Sequence, residues 1–143
     1  MDVASLLGSK GNRVVTTRPD ATISEVVHKL KQERIGALVV SEDDVGVAGI
    51  ISERDIVRAL ADHGSAVMER KVEVLMTREV FTCALDDRIG TLMAKMSHRR
   101  IRHLPVLDDG RLCGMISIGD VVKHRLEEIE SEADALRQYI ATA

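Results

Sequence analysis

Apolar positions recur along the chain in two matching helical stripes. Ile23, Val26, Val27 and Leu30 fall at i, i+3, i+4 and i+7, and Ile89, Leu92, Met93 and Met96 repeat the spacing. Each stripe predicts a helix with one buried face. Thr22-x-x-Glu25 supplies a capping box at the start of the first. Continuous apolar runs follow: Ala37 to Val40 and Val47 to Ile51 around the acidic turn Glu42-Asp43-Asp44, then Leu104 to Leu107 and Leu112 to Ile116 around Asp108-Asp109-Gly110. Short runs bounded by turn residues predict buried strands, and Asp-Gly between two of them predicts a hairpin. A second helix follows each pair of strands. It opens at Ser52 with Ile56, Val57 and Leu60, or at Ser117 with Val121, Val122 and Leu126.

The recurrence extends beyond hydropathy. With Ile23 placed over Ile89, an offset of 66, residues Val14, Thr16, Asp20, Lys29, Arg34, Ile35, Val40 and Asp43 fall on Val80, Thr82, Asp86, Lys95, Arg100, Ile101, Val106 and Asp109. After one residue is dropped in the turn, at an offset of 65, Gly49, Ile51, Ser52, Asp55 and Val57 fall on Gly114, Ile116, Ser117, Asp120 and Val122. The chain is a tandem duplication of a strand, helix, strand, turn, strand, helix unit. Neither half, at roughly 50 residues, buries much surface alone, so the halves are expected to pack together.

The boundaries follow from this pattern. Residues 1–13 read as a helical lead-in, 14–61 as the first unit, 62–76 as a linker with a short helix after Gly64-Ser65, 77–126 as the second unit, and 127–143 as a C-terminal helix. Leu126, Ile129, Ala133, Leu136 and Ile140 are spaced 3, 4, 3, 4, a heptad seam. It either folds back on its own domain or meets another subunit; a subunit contact is the expectation.

Composition narrows the chemistry. The 20 Lys and Arg against 23 Asp and Glu give a net charge of −3, so no overall positive field favours nucleic acid or an anionic membrane. Phe81 and Tyr139 are the only aromatics, too few for a module that stacks bases on aromatic platforms. Cys83 and Cys113 form no Cys-x-x-Cys pair, and the five histidines show no metal-like pairing, so no metal site is expected. No apolar run reaches the ~18 residues of a membrane span. The stretch from Met1 to Leu7 lacks the features of a signal peptide, so a cytoplasmic location is expected.

The repeated motif with the most chemistry is Ser-x-x-Asp, as Ser52-Glu53-Arg54-Asp55 and Ser117-Ile118-Gly119-Asp120. Taken singly it is a capping box. Its context suggests more. Each copy follows a glycine-containing strand, Gly49-Ile50-Ile51 or Gly114-Met115-Ile116, where backbone can let a flat group approach. A carboxylate there can accept from two neighbouring ribose hydroxyls, while free helix N–H groups favour an anion nearby.

These features together resemble a CBS (cystathionine-β-synthase) domain pair, or Bateman module. The resemblance rests on Ile-Gly-Ala-Leu-Val-Val, Ser-Glu-Arg-Asp-Ile-Val-Arg and Arg-Ile-Arg-His-Leu-Pro-Val, and covers roughly Gly11 to Leu126. It implies an α/β (α+β) fold of tandem repeats with pseudo-twofold symmetry, each a small sheet packed on two helices. It also implies that Asp55 and Asp120 hold the ribose of an adenosine ligand, with Ser52 and Ser117 beside them, and that Thr16 or Thr17, and Thr82, contribute from the first strand of each unit. Leu38, Val39 and Ile51 would line one adenine site, and Leu104, Pro105 and Ile116 the other. Arg102 and His103 would reach phosphates at the Asp55 site. The matching segment Ile35-Gly36-Ala37 has no charge, and Val39 stands where the family's Pro is expected. The resemblance therefore implies a more phosphorylated ligand at Asp55 and a less charged one at Asp120.

The run from His98 to His103 has other readings, as a solvated helix end or a nucleic-acid contact. No residue set pairs a nucleophile with a base, so no catalytic residue and no enzyme are expected. The functional expectation is a regulatory sensor of AMP, ADP, ATP or NAD(H), with no covalent cofactor, working as a homodimer or on a regulated protein. The alternative is a protein- or nucleic-acid-interaction module whose clefts are not ligand-regulated.

Overall fold

The structure is a computed structural model that describes residues 1–142. Its elements follow the duplication. The first unit comprises β1 (Thr16–Thr17), α2 (Ile23–Glu33), β2 (Ala37–Val40), β3 (Gly49–Ser52) and α3 (Glu53–His63), after an initial helix α1 (Val3–Lys10). A 3-10 turn (Ser65–Glu69) and a short helix α4 (Val72–Leu75) lead to the second unit: β4 (Cys83–Ala84), α5 (Ile89–Arg99), β5 (His103–Asp108), β6 (Arg111–Ser117) and α6 (Ile118–Thr142). Each unit has a three-stranded sheet, β1-β2-β3 or β4-β5-β6, whose first pair is parallel and second antiparallel.

Local sequence accounts for the ends of these elements. Thr22 and Glu25 close a reciprocal capping box on α2, whereas Arg88 gives α5 no side-chain cap. Both helices stop at an arginine in the left-handed conformation, Arg34 and Arg100, each at φ 56°. The β5–β6 hairpin turns through Asp109 and Gly110 at φ 51° and 77°, the positive-φ pair that an Asp-Gly turn favours.

Two boundaries differ from the sequence expectation. The second strand of the first hairpin runs over Gly49–Ser52 rather than Val47 to Ile51. Asp43 Oδ1 accepts from the N–H groups of Val45 and Gly46, which curls the loop and delays regular pairing. The expected separate C-terminal helix is continuous with the helix of the second unit, since no Gly or Pro interrupts the chain after Gly119. Ala143 lies outside the described residues.

Each unit has its own aliphatic core, closed by a helix from outside the repeat. Ile23, Val26, Leu30, Leu38, Val40, Ile51 and Ile56 pack with Val67, Val72 and Met76 of the linker. Cys83, Ile89, Leu92, Met96, Leu104, Val106, Ile116 and Val121 pack with Val3, Leu6 and Leu7 of α1. The two covers are equivalent. Asp2 bridges Arg88 as Lys71 bridges Thr22, and Val3, Leu6 and Leu7 match Val72, Leu75 and Met76 at an offset of 69. The duplication therefore reaches back into the lead-in, before the Val14 at which the sequence alignment began.

Candidate functional site

In each unit the last strand runs straight into a helix through a serine, and the aspartate three residues on turns back to it. At the first junction, Asp55 Oδ2 accepts from the Ser52 N–H at 2.9 Å and the Ser52 hydroxyl at 3.0 Å, while the Asp55 N–H donates to Ser52 Oγ at 3.3 Å. At the second, Asp120 Oδ2 accepts from the Ser117 N–H at 2.9 Å, and the Asp120 N–H donates to Ser117 Oγ at 3.1 Å. The capping reading is thus satisfied twice. Capping uses only Oδ2 of each carboxylate, and Oδ1 has no hydrogen-bond partner among the described residues. A second backbone clip fixes each junction: Glu53 N–H donates to Gly36 O at 2.9 Å, and Ile118 N–H to Arg102 O at 2.8 Å.

His103 lies opposite Ser117 in the β5–β6 register. Its ring also reaches the first unit, where a Cβ on Gly36 would stand 3.5 Å from its Cε1 and Nε2 and 4.0 Å from the Glu53 carboxyl carbon. Burial lowers the His103 pKa, as do the charges of Lys10 and Arg102, against the opposing pull of Asp120 and Glu53. Near neutral pH the imidazole is therefore an uncharged polar group. Arg102 is exposed and has no ion-pair partner among the described residues.

The cation that reaches a motif carboxylate comes from elsewhere. Lys10, the last residue of α1, donates from Nζ to Asp120 Oδ2 at 2.5 Å and to Met115 O at 2.6 Å. Burial raises the Asp120 pKa, but the bonds from Lys10 and from the Ser117 N–H outweigh it and leave the value lowered. Among the described residues Asp55 has no such cation within ion-pair distance. The sequence expectation gathered positive charge around Asp55 and left Asp120 almost bare. The structure corrects it with an ion pair at Asp120. Lys10 was missed because it lies 110 positions from its partner; the V-x-x-L-[LM] match of lead-in to linker was the available signal.

The expected lining divides by strand alternation. Leu38, Ile51, Leu104 and Ile116 are 0% exposed within the two cores. Their side chains pack within those cores, and Val39 is 0% exposed too. Val39 and Pro105 alternate with them on the opposite face, paired in register with Ile50 and Met115, which the sequence reading did not select. Thr17 is buried. Thr16 Oγ1 donates to Asp44 Oδ1 at 2.5 Å and lines a cavity of about 340 Å³ with Asn12, Val14, Leu112 and Cys113. The units touch beside it, where Leu112 N–H donates to Val45 O at 2.7 Å. Thr82 stands half-buried just ahead of β4.

The paired glycines also need correction. A Cβ at Gly49 would meet Met76 Sδ at 2.6 Å and Thr77 O at 2.9 Å, and one at Gly114 would meet Leu7 at 2.7 Å. They admit the protein's own covers rather than a flat ligand. Among the described residues there is no cluster of three or more His, Cys, Asp or Glu placed to hold a metal, and no helix long and apolar enough to cross a membrane.

The CBS domain family model matches residues 10–62 and 71–127. A mitochondrial CBS domain-containing protein of Arabidopsis thaliana is 37% identical over 125 residues, covering 85% of this chain and 61% of the relative, so the chain spans less than two thirds of that relative's length. The crystal structure of a CBS-domain containing protein from Agrobacterium tumefaciens superposes with a TM-score of 0.85 at 46% identity, covering 87% of this chain and 99% of that one. A CBS domain protein from Pyrobaculum aerophilum, solved in complex with AMP, matches with a TM-score of 0.73 at 28% identity over 84% of this chain and 89% of that one.

Proposed function

This chain belongs to the CBS domain family, and from that premise we propose that it is a regulatory module that binds an adenine nucleotide in one or both Ser-x-x-Asp clefts. Occupancy changes its conformation or its binding to a partner. The supporting observation is the repeated Asp55 and Asp120 carboxylate, held by its own serine through Oδ2 with Oδ1 free. A free carboxylate oxygen at a helix start suits a ribose hydroxyl, and the positive end of the helix dipole suits a phosphate. The AMP complex of the Pyrobaculum relative agrees with that chemistry. AMP, ADP, ATP and NAD(H) are the ligands to test, and the module is assigned no catalysis of its own. Two unpaired thiols suit a reducing cytoplasm.

A thermal-shift panel of these compounds checks the reading. A ligand at 100 times its Kd adds about 2.7 kcal/mol, and each kcal/mol raises Tm by roughly 2–8 °C for a domain of this size. No shift with any adenosyl compound would count against nucleotide binding and in favour of the other reading, a module that acts by contact alone.

One observation bears on assembly. Val57 on α3 and Val122, Leu126, Ile129, Leu136, Tyr139 and Ile140 on α6 are 46–72% exposed. An apolar stripe of this extent suits a homodimer contact. Sedimentation should give twice the chain mass, and a monomer at micromolar concentration would remove the dimer from the proposal.

A further inference from the structure

The Asp120 cleft departs from the Asp55 cleft through one side chain that the repeat does not copy. Lys10 closes α1, and α1 is seated by Val3, Leu6 and Leu7 in the core of the second unit. Its Nζ is therefore positioned by a packed helix rather than by a free tether. At the same offset of 69 the sequence carries Glu79, so the lysine has no counterpart in the other copy.

Asp120 Oδ2 already accepts from two donors, the Ser117 N–H and Lys10 Nζ. An sp² carboxylate oxygen has two lone pairs, so Oδ2 is saturated while Lys10 stays. Asp55 Oδ2 likewise has two donors, but one is the Ser52 hydroxyl, which can rotate away without loss of charge balance. A ribose diol that takes both oxygens of Asp120 must displace the ammonium. That leaves a cation which is only about one third exposed, with the Met115 carbonyl as its remaining partner. A cation in this position needs a replacement anion.

We propose that Lys10 makes the Asp120 cleft selective for a phosphorylated adenosyl ligand over its neutral nucleoside. Lys10 is a specificity-determining residue that passes from the carboxylate to the incoming phosphate. This inference rests on the adenosyl-binding reading above and inverts the charge preference expected from the sequence.

Titration calorimetry with AMP and adenosine tests it on the full chain carrying Asp55→Ala, which leaves only the Asp120 cleft. AMP should bind at least roughly tenfold more tightly than adenosine, the scale of one charge-assisted hydrogen bond. Adding Lys10→Met should bring the two affinities to within roughly threefold of each other, with adenosine binding no weaker than before. Lys10→Arg, which keeps the charge, should retain the preference and guards against a folding defect. An unchanged AMP-to-adenosine ratio in Lys10→Met overturns the assignment of Lys10 alone. Failure of the wild-type chain to bind either compound overturns the adenosyl reading itself.

Discussion

Leu7 rests on Gly114, with its two methyl carbons 2.7 and 2.9 Å from the point where a Cβ would stand. Gly49 is the corresponding position in the first unit, but there the backbone carbonyl of Thr77 lies 2.9 Å away as well as the Met76 side chain. Thr77 and Ile50 exchange both of their backbone hydrogen bonds, so that carbonyl cannot move aside.

The contrast predicts unequal costs for two identical substitutions. Gly114→Ala should destabilise by about 1–3 kcal/mol, the range for overpacking against side chains that can partly adjust, and Gly49→Ala by more. Combining Gly114→Ala with Leu7→Ala should cost less than the sum of the two, because the clash and its relief share a site. Urea denaturation of the three single variants and the one double variant checks both statements. Additive costs would mean that α1 does not sit on β6 as described.

A pH dependence follows from the Lys10–Asp120 pair. The folded pKa of Asp120 is lowered, so its contribution is fully present above the unfolded carboxylate value of about 3.9 and is lost as pH falls through the folded value. Stability measured between about pH 5 and pH 2 should therefore decline with acidity. In Lys10→Met that decline should be shallower, and a carbon-detected NMR titration should place the Asp120 midpoint higher than in the wild type. Identical midpoints would show that the ammonium does not hold the carboxylate.

The two thiols should differ in reactivity. Burial, with Asp87 and Cys113 nearby, pushes the Cys83 pKa up to about 12, so almost none of it is thiolate at neutral pH. Cys113 is also raised, by burial and Asp108, but it is partly exposed beside the cavity at Thr16. Iodoacetamide should label Cys113 first and Cys83 only on unfolding. An adenosyl ligand that reaches the Thr16 cavity should slow labelling of Cys113.

Much of the fold was legible because local and periodic signals agreed. The stripe from Ile23 to Leu30, its Thr22–Glu25 box and the Asp109-Gly110 turn each specify structure within a few residues, and each is found as expected. The Ser-x-x-Asp junctions were legible for the same reason. What stayed hidden depends on partners distant in sequence. Leu7 and Gly114, or Lys10 and Asp120, are single residues whose meaning appears only once two far ends of the chain meet. The packing of Leu38 and Ile51 into the core was not legible, because a fully apolar strand does not reveal which of its faces is core. Only the alternation seen in the folded sheet sets Val39 and Ile50 apart from them.

The two covering helices give the chain an order of assembly. The linker cover ends at Met76, directly after the first unit, so that unit is complete as soon as those residues have left the ribosome. The cover of the second unit, α1, is synthesised well before that unit, and its seat includes Ile116 and Val121. Helix α1 must therefore wait until Ile116 and Val121 have been made, with Val3, Leu6 and Leu7 unsheltered, and its docking is the long-range closure that completes the second unit.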